Sequence, residues 1–461
     1  MEVISSVNPT WLRDAAVILS GVSLTYYLRP RGSKKRLPLP PSPKGLPILG
    51  NALNMPLENV AQGYAKWGEE LGSDIISATA LGKVVIILNS IETGLDLLDK
   101  RSNIYSSRFQ STMAGEMMGF DYPFAMLPYD ERWKERRRLF VQHFRPSDMS
   151  IIYPQAREFA QRFLVELSQA PEHFHDIARG AKDLAYMSEK FRSAPFEEAL
   201  SKFGTAEGRP SFVSVALGSV DDSNEEAAAH QRQLIKDTAA MFYMAGTDTI
   251  SGSMLSWTWD MLKNPDIQAK VHAELDEVLK GRMPDFEDLD DLPYLMATII
   301  GDRSIVACCA DRFVVHCVPH LNMEDDVYGE YFIPKDSIVI SNLWAMLRNE
   351  DDYPNATTYS PSRFLTLDGK LNPEIRDPFT IAIGFGRRSC PGAHIGRAMF
   401  WLSLASLATL FEWTEPLGED GKPIDQPRDY EKGLLYQPKP FKCNFKLRSA
   451  EAQALFANME A

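Results

Sequence analysis

One long helical segment constrains the fold more than any other part of the chain. From Asn224 to Lys263 no proline interrupts the sequence, and Asn264-Pro265 ends it. Asp248 and Asp260 lie among its apolar residues. Carboxylates are costly in lipid, so a polar position inside a protein explains them better than a membrane span. The segment therefore predicts a mainly α-helical body.

Composition excludes several classes of protein. The 461 residues are 44% hydrophobic and 10% aromatic, enough for a large core, which excludes a disordered chain. A net charge of −13 argues against nucleic acid as a partner, because phosphates require a basic face. Five cysteines are too few and too clustered for a secreted disulfide framework.

The N-terminus has the pattern of a membrane anchor. An apolar run, residues 15–28, is followed by basic residues up to Arg36 and then by a proline-rich spacer. Positive charge after the apolar run orients the remainder of the chain toward the cytosol, whereas a cleaved signal peptide carries its charge before that run. The alternative is an ordinary buried helix. We expect residues 1–36 to be an anchor and basic linker.

The remaining pattern indicates helices with a small β region. Asp74 to Ala80 and Val84 to Leu88 predict a strand pair around a Leu-Gly turn, and Val327 to Ile333 followed by Ser337 to Ser341 predict a second β region. Ile267 to Leu279 predicts an amphipathic helix. A short helix is expected from Ala450.

A glycine-rich loop with one cysteine precedes a C-terminal helix. Cys390 stands near backbone N–H groups and the positive end of that helix, which predicts a lowered thiol pKa and a good metal ligand. Gly386 permits a turn with positive φ, Gly392 permits close approach of a flat ligand, and Arg388 can pair with a carboxylate. The alternative is a buried cysteine in a glycine turn.

The loop resembles the haem-binding loop of cytochrome P450 monooxygenases, Phe-x-x-Gly-x-Arg-x-Cys-x-Gly. Gly386, Arg388, Cys390 and Gly392 match the pattern, and Ile383 stands where the family has Phe. The resemblance implies a cytochrome P450-like fold in which Cys390 is the axial ligand of the iron of haem b. A thiolate ligand pushes electron density toward the iron and favours O–O cleavage.

Two further motifs resemble the same family. Ala245-Gly-Thr-Asp248-Thr249 is similar to the family's helical segment above the haem, which implies that Asp248 and Thr249 deliver protons to bound O₂. Trp133-x-x-x-Arg137 is similar to the helix whose Trp and Arg bind haem propionates, although a solvated basic turn is the alternative.

Neighbouring basic residues complete the resemblance. His320 follows Val318-Pro319, as in a family segment whose histidine meets a propionate, and Arg388 is expected to bind the propionates as well. Arg136 and Arg138 are expected to be surface charges that face an acidic reductase.

The chain departs from the family in two places. The Glu-x-x-Arg pair expected before His320 is absent from residues 300–317, and in the family it locks with a later arginine, here Arg363. Only 112 residues separate Trp133 from Ala245, so the lid helices over the substrate pocket are expected to be shortened. A zinc site is an alternative interpretation of the first region, but it lacks the usual Cys-x₂-Cys spacing. Its residues would be Cys308, Cys309, His316, Cys317 and His320.

The resemblance implies a monooxygenase, residues 37–446, with a C-terminal tail, residues 447–461. It would hydroxylate a lipophilic small molecule, such as a fungal terpenoid or aromatic metabolite, with O₂ and electrons from an NADPH-cytochrome reductase. Its expected location is the cytosolic face of the endoplasmic reticulum membrane, held by one span. The alternative is a non-catalytic remnant of a haem protein, whereas a hydrolase is disfavoured because no Gly-x-Ser-x-Gly elbow is present. Candidate substrate contacts are Phe109, Met113, Met117, Met118, Phe120, Met241 and Met244.

Overall fold

The computed structural model describes residues 37–179, 188–205, 210–301, 318–427, 429–431 and 437–460. The predicted anchor, residues 1–36, and residues 302–317 of the segment without Glu-x-x-Arg lie outside them, as do Cys308, Cys309, His316 and Cys317 of the alternative zinc site. The helices are α1 (Val60–Leu71), α2 (Ile91–Gly94), α3 (Ser102–Tyr105), α4 (Glu131–His143), α5 (Ile152–Gln169), α6 (Phe174–Arg179), α7 (Ser188–Lys202), α8 (Phe212–Leu217), α9 (Glu225–Lys263), α10 (Pro265–Leu279), α11 (Pro293–Ile300), α12 (Leu343–Met346), α13 (Phe379–Ala382), α14 (Ala393–Leu410) and α15 (Ala450–Glu460).

The strands of the described residues form one mixed five-stranded sheet and three small antiparallel pairs. The large sheet has the order β1-β2-β7-β4-β3, and the pairs are β5 with β6, β8 with β11, and β9 with β10. The strands are β1 (Ile75–Ala80), β2 (Lys83–Leu88), β3 (Ser107–Arg108), β4 (His320–Leu321), β5 (Asp326–Tyr328), β6 (Tyr331–Ile333), β7 (Ile338–Ser341), β8 (Phe411–Thr414), β9 (Tyr430–Glu431), β10 (Gln437–Pro438) and β11 (Asn444–Leu447). The prediction of a mainly α-helical protein with a small β region is confirmed.

Both predicted β regions are confirmed. Strands β1 and β2 pair around Leu81-Gly82, both of which have positive φ, as a tight hairpin requires. The second region contains β5, β6 and β7, and Gly329 at φ 56° reverses the chain between β5 and β6. β5 and β6 therefore face each other as a second hairpin.

Helix α9 matches the predicted long segment. The Asn224 side chain caps it by accepting a hydrogen bond from the Ala227 N–H at 3.0 Å, and Glu225 and Glu226 lie at its positive end. Pro265 then opens α10. The C-terminal half of α9 is buried, with Trp257 and Met261 fully enclosed in the main core. The core therefore holds one half of α9 in place while the other half borders a cavity.

Helix α14 connects the cysteine loop to the same core. Its residues 402–410 are buried, and the helix packs against α5, α9 and α10. Cys390 lies three residues before its first residue, Ala393. The loop that carries the thiol is therefore attached to one of the most rigid elements of the molecule.

None of the described helices combines the length and the apolar character that are needed to cross a bilayer.

Candidate functional site

A cavity of about 730 Å³ lies between α4, α9, the strands β3 and β4, and the loop that leads into α14. Most of the residues predicted for the site line it, although they are far apart in the sequence. Asp248 and Gly386 are not among the lining residues. Those that line the cavity are Trp133, Arg137, Thr249, His320, Arg388, Cys390 and Gly392.

The cysteine loop is shaped by a glycine that no other residue can replace without strain. Gly386 has φ 55°, and a Cβ atom there would lie 2.3 Å from the Leu98 carbonyl oxygen. The Cys390 N–H donates to the Ile383 carbonyl at 2.8 Å and closes the loop. By contrast, a Cβ on Gly392 would only touch Phe140 at an ordinary 3.7 Å. The protein itself therefore leaves room for a side chain at position 392, and only a ligand in the cavity would require glycine there.

The Cys390 side chain is exposed to the cavity but surrounded by protein. Burial raises the pKa of its thiol, and this outweighs the opposing effects of a hydrogen bond from the Gly392 N–H and of the Arg137 charge. The expected lowering of the thiol pKa by the helix end is therefore wrong for the protein alone. A coordinated metal ion supplies the charge that deprotonates such a thiol.

Arg388 is held by the main chain of a neighbouring segment. Its guanidinium donates to the carbonyl oxygens of Ser106 at 2.6 Å, Phe124 at 3.2 Å and Leu127 at 2.7 Å. The same group lies over the Trp133 ring, 4.5 Å from its centre. Burial, assisted by the charges of two neighbouring arginines, lowers the pKa of Arg388 to about 8. The surroundings therefore favour an anion beside this group.

Trp133 and Arg137 lie on one face of α4, one turn apart. The Asp130 side chain caps this helix by accepting from the Trp133 N–H at 3.1 Å. Arg137 donates to the Ser389 carbonyl at 2.9 Å, next to the thiol, and burial lowers its pKa. Both side chains line the cavity, so the i, i+4 spacing places them together as predicted.

Arg108 is a cavity residue that no motif in the sequence predicts. This residue of β3 is 5% exposed, lines the cavity and donates to the Val318 carbonyl. It pairs in register with His320 of β4. The one feature of the sequence that could have indicated its burial is its place in a short β segment without the alternation of apolar and polar residues that is typical of a strand with one face in solvent. Arg108, Arg137 and Arg388 thus place three positive charges around one cavity.

His320 is fully enclosed beside these arginines. Its Nδ1 lies 2.7 Å from the Tyr105 carbonyl oxygen, which can only accept, so Nδ1 carries a proton. Burial, followed by the charge of Arg108, holds the pKa of His320 well below its ordinary value. A negative group beside Nε2 would have the opposite effect.

Two threonines of α9 face the cavity, and the hydroxyl of each donates to a main-chain carbonyl one turn earlier in the helix. The Thr249 hydroxyl donates to the Ala245 carbonyl at 2.7 Å, and the Thr247 hydroxyl donates to the Tyr243 carbonyl at 2.9 Å. Asp248 is exposed and is not among the residues that line the cavity. A proton path through Asp248 would therefore pass along the side of α9 before it reached Thr249.

The expectation that Arg136 is a surface charge is wrong. Its side chain is only 12% exposed and forms an ion pair with the buried Asp237 of α9 at 2.6 Å. Arg138, two residues later on α4, is exposed as predicted. The helix turns by about 100° per residue, so neighbouring arginines point to different environments that the sequence alone does not distinguish.

The described part of the segment around Arg363 is held by main-chain groups. The Arg363 guanidinium donates to the Thr358 carbonyl at 3.2 Å and to the Asn355 carbonyl. The Glu350 carboxylate accepts from the N–H groups of Asn355 and Ala356 at 2.6 and 3.2 Å. These contacts connect Arg363 to Glu350 through the backbone.

The rest of the cavity is mostly apolar, and only one predicted substrate contact belongs to it. Met241 lines the cavity together with a group of aromatic residues. The other candidates are not among the lining residues, and Met113 and Met117 are 64% and 76% exposed. The aromatic lining residues are Phe124, Trp133, Phe140, Phe144, Phe159, Phe212, Phe242, Tyr243, Phe379 and Phe385.

A thiol that faces an apolar cavity beneath a long helix, with arginines along its edge, defines a haem-thiolate type of site. A family model described as Cytochrome P450 matches residues 167–445. The chain is 34% identical to Cytochrome P450 monooxygenase ple1 of Rhodocybe pseudopiperita, with 95% of this chain and 94% of that protein covered. It is 31% identical to Cytochrome P450 monooxygenase 98 of Postia placenta (98% and 99% covered) and to Tryptamine 4-monooxygenase of Psilocybe cyanescens (95% and 97% covered). The chain belongs to the cytochrome P450 family.

Membership identifies the protein as a monooxygenase whose cofactor is a thiolate-ligated haem. The residues present fit that group, because haem carries two carboxylates and the cavity collects three buried arginines around a cysteine thiol. The alignments run over 502 and 504 positions, more than the 461 residues of the chain. The relatives therefore have residues where this chain has none. The shortening between Trp133 and Ala245 stays a prediction.

Replacing Gly386 by alanine tests whether the loop geometry is required. The new Cβ would collide with the Leu98 carbonyl at a positive φ, so we expect a loss of about 3 kcal/mol in the free energy of unfolding and a lower haem content. Thermal unfolding and the haem-to-protein absorbance ratio measure both. Gly115→Ala is the matched control, because no atom lies within 4 Å of its Cβ position. Equal stability of the two variants would contradict the assignment.

Proposed function

We propose that this chain hydroxylates a neutral, lipophilic small molecule of fungal secondary metabolism. The observation that carries the proposal is the placement of the Cys390 thiol in a cavity whose remaining lining is mostly apolar. When bound, the haem supplies the activation of O₂, with one oxygen atom going to the substrate and the other leaving as water. The two electrons would come from an NADPH-cytochrome reductase.

We assign the propionate-binding roles to four residues predicted from the sequence and one found in the structure. Trp133, Arg137, His320 and Arg388 line the cavity together with Arg108. The buried positive charges of Arg108, Arg137 and Arg388 attract carboxylates and would be neutralised by them. A propionate beside His320 would favour the protonated ring, which can then donate from both nitrogens. Cys390 would provide the axial thiolate.

We assign proton delivery to Thr249 and Asp248 of α9. Thr249 faces the cavity, and its hydroxyl bond to the Ala245 carbonyl keeps it at the surface of the helix. Asp248 is exposed, so it can exchange protons with solvent. In this arrangement Asp248 takes up protons and Thr249 orients the group that passes them into the cavity.

The residues along the cavity favour a substrate without a positive charge. Among the described lining residues there is no aspartate or glutamate that could pair with such a charge. An ammonium group entering this cavity would lose hydration without gaining a carboxylate partner. The relative named Tryptamine 4-monooxygenase acts, by its name, on an amine. We infer that this chain differs from it in substrate charge.

The ligation of haem is tested by a carbon monoxide difference spectrum of the reduced full-length protein. We expect a thiolate-type, long-wavelength Soret band for the native chain and its loss in Cys390→Ser, because a hydroxyl does not replace a thiolate ligand. Cys443→Ser is the control, since Cys443 is a half-buried thiol away from the cavity.

The same spectrum distinguishes the alternative, a non-catalytic remnant. A native chain without the long-wavelength band would support that alternative and exclude monooxygenase activity for this sequence. Retention of the band in Cys390→Ser would refute the assignment of the ligand.

Replacing Thr249 by alanine tests the proton-delivery role. With reductase and NADPH, we expect the variant to consume NADPH at a similar rate but to yield several-fold less product per NADPH, because proton delivery becomes unproductive. Thr238→Val is the control on the same helix, since Thr238 is buried and does not line the cavity. An unchanged ratio of product to NADPH in Thr249→Ala would remove the role.

Paired ligands test the substrate charge. Tryptamine and 3-ethylindole share a ring and a two-carbon side chain, but only tryptamine carries an ammonium group at neutral pH. We expect 3-ethylindole to bind at least about tenfold more tightly than tryptamine. A spectral titration that follows the shift in the haem spin state measures both dissociation constants. Tighter binding of tryptamine would show that a negative group reaches the cavity, and the inference about charge would be withdrawn.

We further propose that residues 1–36 anchor the monooxygenase to the endoplasmic reticulum membrane, with residues 37–446 in the cytosol and residues 447–461 as a tail. Large apolar side chains are exposed close to where the described chain begins, including Leu53 at 74%, Leu57 at 77% and Leu81 at 73%. Such side chains suit a surface next to lipid better than open water.

A charge placed inside the apolar run tests this anchor. Leu19→Arg adds a cost of roughly 3 kcal/mol to insertion at the centre of a span. We expect the variant to be released from microsomes by alkaline carbonate, while the native chain and the control Ser33→Arg stay in the pellet. Release of the native chain under these conditions would contradict the proposal.

A further inference from the structure

A buried carboxylate joins three helices beside the cavity. Asp237 of α9 has a side chain only 1% exposed. Its Oδ2 accepts from Arg136 of α4 at 2.6 Å, and its Oδ1 accepts from Nε and Nη2 of Arg192 of α7 at 2.7 and 2.6 Å. Gln233, one turn earlier on α9, donates to the same oxygen at 2.8 Å. Every one of these contacts is charge-assisted.

The arrangement depends on the carboxylate more than on either arginine. The side chains of Arg136 and Arg192 are 12% and 23% exposed, so both guanidinium groups are largely removed from water. Removing one arginine leaves Asp237 paired with the other. Removing Asp237 leaves two positive groups close together without the negative charge between them, which is the costly case for buried charges.

Helix α7 has few large apolar contacts among its described side chains. Phe196 is buried, whereas Leu200 is 47% exposed. The Arg192 guanidinium adds a contact over the ring of Tyr122, 4.8 Å from its centre. Among the described side chains of α7, the ion pair of Arg192 with Asp237 is therefore a strong polar attachment to α9.

Each of the three helices forms part of the cavity wall. On α4, Arg136 stands beside the cavity-lining Arg137. On α7, Ala199 lines the cavity two turns after Arg192, and on α9, Ala239 lines it two residues after Asp237. A change in the ion pairs would therefore move the wall that covers the cavity relative to the residues that face its interior.

We propose that Asp237 is a positioning residue that closes this side of the cavity. Through Arg192 it holds α7 against α9 as a cover, and through Arg136 it fixes the orientation of α4 and hence of Arg137. In a chain with a shortened lid region, one carboxylate thus sets both the closure of the cavity and the position of an arginine inside it.

The test uses hydrogen exchange of the full-length protein, followed in peptides from α4, α7 and α10. In Arg192→Gln we expect amide exchange in α7 to become about tenfold faster while exchange in α10 stays unchanged, because only the attachment of the cover is lost. Arg192→Lys retains a single charge and should restore most of the protection. Arg138→Gln is the matched control on α4, and we expect it to exchange like the native protein.

Two further variants separate the effect of the ion pairs on α4 from their effect on α7. Arg136→Gln should accelerate exchange in α4 and leave α7 protected, and Asp237→Asn should accelerate both. If Asp237→Asn does not fold, the two arginine variants still test the proposal, since each keeps one ion pair. In protein that contains haem, Arg192→Gln should also speed the rebinding of carbon monoxide after photolysis by several-fold, because an open cavity admits the gas faster.

Native exchange of α7 in Arg192→Gln would overturn the proposal, and so would an equal rise in all peptides, which indicates general destabilisation. Exchange is measured on protein with or without haem. A protein that lacks the thiolate band but shows the predicted exchange pattern would therefore refute the proposed function and retain the role of Asp237.

Discussion

The burial of three like charges around one cavity is the constraint on which the rest of the site depends. Arg108, Arg137 and Arg388 come from a strand, a helix and the cysteine loop, and all three line the same space. Main-chain carbonyls accept some of their hydrogen bonds, but a carbonyl carries only a partial charge. Burial and mutual repulsion lower the pKa of Arg388 to about 8. A cofactor with two carboxylates relieves this repulsion, so binding it stabilises the arrangement that binds it.

The two walls of the cavity differ in how they are held. The thiolate side rests on α14, which is buried in the main core, and on Gly386, whose backbone leaves no room for a side chain against Leu98. The covering side rests on α7, whose attachment depends on the buried carboxylate of Asp237. A rigid ligand loop and a cover held by ion pairs suit a site that must keep one group fixed while substrates enter and leave.

Much of the site could be predicted because its motifs are local. Residues 386–392 and 245–249 each combine residue types within one turn or one helical face, so spacing alone brings them together. The i, i+4 spacing of Trp133 and Arg137 likewise places them on one side of α4. Arg108 and Arg136 escaped prediction because their partners, at Val318 and Asp237, are distant in sequence. The predicted direction of the Cys390 pKa shift is also wrong, because burial by distant segments raises the pKa by more than the nearby helix end lowers it.

The sequence by itself determined the family and the long helix, and it predicts Cys390 as the iron ligand, since each follows from residues that are neighbours along the chain. It also predicts that the lid region between Trp133 and Ala245 is shortened. Only the tertiary structure decided that Arg136 is buried whereas Arg138 is exposed, that a third arginine joins the cavity, and that no acidic side chain is among the described lining residues. These features depend on which segments pack together, and packing sums many weak contacts between residues far apart in sequence.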